Sequence, residues 1–150
     1  MVMNLKTNLA VALISLASCL TGAAKAMSIH DFGKMNNDDE ATYVALLVEG
    51  SAEMLRAHGQ PEQARKVIAF FKESGKDGGV QQFASNLKMV DALNKRNSIN
   101  PNNRAPVYQV EDAMELTLKD DGIIVPASYL LTINKDFRPS GPSRPRTIGQ

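Results

Sequence analysis

Apolar residues recur at helical spacing along most of this chain, and the clearest run lies between Asn37 and Gly59. Tyr43, Leu47, Gly50 or Ser51 and Met54 fall on one face, joined by Val44, Leu46, Val48 and Leu55. Asn37 or Asp38 can cap the start, Asp39 and Glu40 place negative charge in the first turn, and Gly59 stops the run after His58. The pattern predicts a helix that forms the seam of the fold. On this reading Leu47→Asp unfolds the protein, whereas Asp39→Asn, at the helix start, scarcely matters. Gly50 costs about 1 kcal/mol in a helix interior relative to Ala, so Gly50 and Ala52 are expected where another helix approaches closely.

The flanking segments follow the same period. Ile29, Phe32 and Met35 give a short lead-in helix after a possible Ser28 cap. Gln60-Pro61 opens a second helix with Ala64, Val67, Ile68, Phe71 and Phe70 on its apolar side. The short connection before it forces a tight, roughly antiparallel hairpin. Ser74 to Gly79 reads as a mobile turn, because its glycines lack the spacing of a phosphate loop. Val80, Phe83, Leu87, Val90 and Leu93 or Asn94 predict a third helix, and Asn97 to Pro106 a connecting loop. Val110, Ala113, Met114 and Leu118 predict a fourth helix, with Glu111, Asp112 and Glu115 on its opposite side and Gly122 as its stop. Ile123 to Val125 has no second strand to pair with and reads as a buried extended connection. Pro126-Ala127-Ser128 begins a last helix expected to run through Tyr129, Leu130, Ile133 and Phe137.

Together these elements predict an all-α, compact single-domain bundle of about five helices over residues 27–137. Residues 1–26 precede it as a signal peptide. Residues 138–150, with three Pro, three Arg and no acid, follow as a disordered tail.

The leader bears on localisation. It has an early Lys6, an apolar run from Leu9 to Leu20, and then Ala24-Lys25-Ala26, the small-x-small pattern of an export cleavage site. Cleavage between Ala26 and Met27 is expected, releasing a periplasmic or secreted protein. The apolar run is shorter than the roughly 20 residues of a membrane span, so no transmembrane span is expected in the mature chain. Leu16-Ala17-Ser18-Cys19 supplies an alternative: it resembles the lipobox of bacterial lipoproteins, which would anchor the chain to the membrane through a lipidated Cys19. Cys19 is the sole cysteine, so a chain cut at Ala26 has none with which to form a disulfide.

Charge narrows the partners. The chain as a whole carries +1, but residues 27–137 hold all sixteen Asp and Glu against twelve Lys and Arg, a net charge of −4. A mildly acidic domain without Trp argues against nucleic acid, which calls for clustered cations and stacking platforms. His30 and His58 are the only histidines, and no HExxH or CxxC occurs, so neither a metal nor another cofactor is expected. The general build is similar to small exported helical proteins of bacteria, such as periplasmic immunity and acid-stress chaperone domains. Many of those carry a disulfide, and no residue or role is carried over from the likeness.

Two function classes remain. The first is a non-enzymatic binding or interaction protein of the bacterial cell envelope, whose partner is another envelope protein or a small ligand. It rests on the lack of a triad, metal, phosphate-loop or thiol signature, and no catalytic residue is assigned. The alternative is a lysozyme-like envelope hydrolase, for which Glu49, Glu53, Glu111 and Glu115 are the candidate acids. All four are expected on solvent-facing sides of their helices.

Overall fold

The computed structural model describes residues 26–100, 102, 104–133 and 137–140. Among the described residues six helices occur in order: α1 Ile29–Phe32, α2 Asn37–Ala57, α3 Pro61–Lys72, α4 Gly79–Ser98, α5 Val110–Asp120 and α6 Ala127–Ile133. The last of these ends at Ile133, short of the expected Phe137. No strand occurs among the described residues. The expected leader through Lys25, including the Cys19 motif, and the expected tail from Gly141 onward lie outside the described residues.

Each long helix packs on the next in sequence, and α6 returns to pack on α2, so α2 to α6 close into a ring around one core. The seam of α2 is Tyr43, Leu47, Ser51 and Leu55, at successive i, i+4 positions, with Val48 and Ala52 beside it; all six are buried. Gly50 and Met54 are only half-buried, and Leu46 points outward. The close approach therefore falls over Ser51 and Ala52, one residue later in the turn than Gly50. The Ser51 hydroxyl is satisfied within the helix by the Leu47 carbonyl.

The helix ends follow local chemistry. Asn36, just before the expected cap, caps α2 by accepting the Asp39 N–H at 2.8 Å. Ser28 does the same for α1 through the Asp31 N–H at 3.0 Å. Both α2 and α5 end in a left-handed glycine, Gly59 at φ 74° and Gly122 at φ 73°. In each, the glycine N–H and the N–H after it reach back to the last turn: Gly59 to Arg56 and Gln60 to Leu55; Gly122 to Lys119 and Ile123 to Leu118. Ile123 and Leu118, brought together this way, are both buried. Beyond Gly122, Ile123 and Val125 point inward while Ile124 is exposed, the alternation of an extended segment.

Gly78 and Gly79 are buried by close packing against the end of α3. A Cβ on Gly78 would lie 2.1 Å from the Glu73 carbonyl oxygen, and one on Gly79 would lie 2.8 Å from the Phe71 ring. The turn expected from these glycines is thus a tight seat for Phe71.

Polar side chains join the long helices. Asn86, buried on α4, donates to Thr117 Oγ1 at 3.1 Å and to Asp120 Oδ2 at 3.2 Å on α5. Asn94 and the Tyr108 backbone exchange two hydrogen bonds of 2.8 Å, fixing the chain that enters α5. Phe137 lies edge-on to Tyr43 with centroids 4.9 Å apart. Ser140 then binds the Asp39 carboxylate through its N–H at 2.8 Å and its hydroxyl at 2.7 Å. The first residues of the expected tail are therefore tied to the start of α2.

Candidate functional site

A second face of α2 runs beside its buried seam. Asn37, Ala41, Val44 and Val48 follow one another at helical spacing, flanked by Glu40, Ala45 and Glu49. With Ile68, Phe71 and Lys72 of α3, and Val80, Phe83, Ala84 and Leu87 of α4, they line an open groove of about 610 Å³. Phe32 of α1 belongs to the same lining and meets Phe83 edge-on, with centroids 6.3 Å apart.

The groove follows from side-chain size. Phe32, Val48 and Phe83 are buried and form its floor, while Val44, Ile68, Phe71 and Leu87 are half-buried walls. Ala41, Ala45 and Ala84 are too short to close the space between the helices. Val80, 50 % exposed, stands at the mouth. The polar lining residues, Asn37, Glu40, Glu49 and Lys72, are few and of both charge signs. The volume lies within the roughly 300–1,000 Å³ common to ligand-binding clefts, and the walls are apolar as in such clefts.

The four candidate acids do not converge. Glu49 touches the groove, while Glu53 is exposed and pairs with Arg56 at 2.6 Å. Glu115 is half-buried on α5. Glu111 departs from the expected solvent face: it is 4 % exposed, and the Tyr43 hydroxyl of α2 donates to its carboxylate. The backbone N–H of Met27 lies 3.0 and 3.2 Å from the two Glu111 carboxylate oxygens. Burial first, and then the hydrogen bond and the charge of Glu111, hold the Tyr43 hydroxyl well above the usual tyrosine pKa.

The spacing already contained a signal for this pair. Glu111, Met114 and Leu118 stand at i, i+3 and i+7, so Glu111 shares the apolar face of α5. Tyr43 begins the seam and is fully buried, and a buried phenol needs an acceptor.

His58 and His30 are far from a metal arrangement. His58 stacks on Tyr129 with centroids 4.7 Å apart, and its Nδ1 lies 2.8 Å from the Met54 carbonyl oxygen. His30 is exposed on α1. Among the described residues no three His, Cys, Asp or Glu side chains are grouped to hold a metal ion. No helix among them is long and apolar enough to cross a membrane.

Comparison with known protein families, with characterised proteins and with solved structures gives no match for this chain.

Proposed function

We propose that the protein is a non-enzymatic binding protein of the bacterial cell envelope, exported by its leader and working through the groove between α2, α3 and α4. The observation that carries this reading is the groove itself: about 610 Å³ of space walled by aliphatic and aromatic side chains, with polar groups few among them. The α2 wall from Asn37 to Glu49 extends about 18 Å, the length of some three helical turns. That dimension suits an amphipathic helical segment of another envelope protein, entering by apolar side chains at i, i+3 or i+4, and i+7. Charge plays a small part in selecting it, since Glu40, Glu49 and Lys72 present both signs. Only Glu49 of the candidate acids meets the groove, which favours binding over acid catalysis.

A photo-reactive phenylalanine analogue at Val44, in the wall, and at Lys66, exposed on α3, tests the reading. The Val44 probe is expected to cross-link one apolar helical segment of one envelope protein, and the Lys66 probe is not. A synthetic peptide of that segment should bind the unmodified protein and lose affinity about tenfold or more with Val44→Asp, the effect of 1.4 kcal/mol or more. Equal cross-linking at both positions, or equal peptide affinity, overturns the proposal. Export is tested separately by the mass of the mature chain. A start at Met27 supports cleavage after Ala26, and a diacylated Cys19 replaces it with a lipid anchor.

A further inference from the structure

The buried carboxylate of Glu111 is seated on the very peptide nitrogen that the leader pattern marks for release. Ala24-Lys25-Ala26 places the scissile bond between Ala26 and Met27. Independently, the fold holds Met27 on both sides. Its nitrogen lies 3.0 and 3.2 Å from the Glu111 carboxylate oxygens, and its carbonyl accepts the Val110 N–H at 3.0 Å.

We propose that Glu111 is the receptor for the α-ammonium group created when the leader is removed, so that export processing completes the fold. This rests on the export reading of the leader. In the cleavage step, water adds across the Ala26–Met27 peptide bond under catalysis by the peptidase of the export machinery. The C–N bond breaks, the Ala26 carbonyl carbon gains the hydroxyl and becomes a carboxylate, and the Met27 nitrogen takes up protons to become an ammonium.

The geometry favours the charged product over the peptide. A peptide nitrogen has one hydrogen and can aim it well at only one carboxylate oxygen, yet this nitrogen faces both. An ammonium has three hydrogens and a positive charge, so it can serve both oxygens with charge-assisted bonds. Glu111 is buried and accepts from the Tyr43 hydroxyl, so its carboxylate is held in place to meet the nitrogen. The Val110 N–H, left without an intrahelical partner at the start of α5, is satisfied by the Met27 carbonyl and fixes the nitrogen over the carboxylate.

The test uses the chain recovered from the envelope after processing. Intact mass first establishes its first residue. A chain that does not begin at Met27 removes the export reading at this bond, and the inference with it. For a chain that begins at Met27, reductive methylation at neutral pH compares the α-amine with surface lysines, folded and in urea. The α-amine is expected to react about tenfold more slowly in the folded protein, as for an amine whose pKa is raised by one unit, and to lose this protection in urea. A second processed chain carrying Gly-Ser between Ala26 and Met27 displaces the ammonium and leaves every other residue in place. It should melt several degrees lower than the chain that begins at Met27. An α-amine equally reactive folded and unfolded, or equal melting of the two processed chains, overturns the proposal while leaving export intact.

Discussion

The Tyr43 hydroxyl of α2 donates to the Glu111 carboxylate of α5, a hydrogen-bonded link between two helices that meet mainly through their neighbours. Tyr43 is fully buried, and Phe32 and Phe137 pack their rings on it from two sides. A phenol in this position serves the core by its ring and Glu111 by its oxygen. Removing the oxygen alone, by Tyr43→Phe, leaves the ring contacts and withdraws one donor from a buried carboxylate. The expected loss of stability is about 1.5–3 kcal/mol, as for a hydrogen bond to a charged group, read as a shift in the denaturant midpoint at unchanged slope.

The same hydroxyl gives a pH dependence. Burial, and then the Glu111 hydrogen bond and charge, raise its pKa in the folded protein above the value of about 10 in an unfolded chain. Above that pH the unfolded chain releases the Tyr43 proton and the folded chain keeps it. Stability from this group is therefore complete below about pH 10 and falls as pH rises beyond it. Melting temperatures between neutral pH and the alkaline range should decline more steeply for the native chain than for Tyr43→Phe. Parallel declines would refute the assignment.

Asp39 does more than place negative charge in the first turn of α2, and the expectation that Asp39→Asn scarcely matters is replaced by a measurable cost. It is 6 % exposed and accepts from Asn36 Nδ2 at 3.0 Å and from both the N–H and the hydroxyl of Ser140. Asp39→Asn keeps one oxygen for Asn36 Nδ2 and the Ser140 N–H, but it removes the negative charge from all three bonds and makes the Ser140 hydroxyl accept where it now donates. The expected cost is about 1–3 kcal/mol, together with faster amide hydrogen exchange at Ser140. Phe137, three residues away and packed on Tyr43, should lose protection with it. An Asp39→Asn protein with native melting and native exchange at Ser140 would show that these bonds carry no stability.

How far these features were legible depends on the length over which their cause acts. Gly59 and Gly122 were readable as helix stops because their role is set by bonds to the preceding turn. The seam of Tyr43 and Leu47 was readable because apolar spacing repeats within one helix. The partners of Asp39, Asn86 and Asn94 were not, since Ser140, Thr117 and the Tyr108 backbone reach them only after the chain has closed. Local rules place Asp39 in a first turn and Asn94 at an apolar-repeat position, and neither rule names a partner that arrives from a distant element. The groove was missed for a related reason. Val44 and Val48 belong to the apolar pattern of α2 whether or not a neighbour fills the space beside them, and Ala84 on α4 leaves part of it open.

Gly79 and Gly59 separate two reasons for glycine. Gly79 has ordinary backbone angles, but a Cβ there would meet the Phe71 ring at 2.8 and 2.9 Å and the Phe70 carbonyl at 3.1 Å. Gly79→Ala should displace Phe71 in the groove wall and cost about 1–3 kcal/mol, as overpacking does. Gly59 has open space around it and a left-handed backbone, so Gly59→Ala should cost about 1–2 kcal/mol without altering the groove. Binding of an apolar environment-sensitive dye distinguishes the two: it should change with Gly79→Ala and persist with Gly59→Ala. The same change in both would remove the connection between Gly79 and the groove.

Leu46 and Leu47 are adjacent, of one residue type and in one helix, yet they should respond oppositely to the same charge. Leu47 is 0 % exposed in the seam, and Leu46 is 37 % exposed on the outer surface. A carboxylate at position 47 would be enclosed by the apolar core without a partner. Its cost, the lost apolar burial added to several kcal/mol of desolvation, is comparable with the total stability of about 5–15 kcal/mol of an ordinary domain. At position 46 the carboxylate reaches water, and the change should stay near 0.5 kcal/mol. Far-UV circular dichroism should therefore show an unfolded Leu47→Asp chain and a native Leu46→Asp chain that melts near the unmodified protein. If Leu46→Asp were the one to unfold, the face that α2 turns to the core would be misassigned.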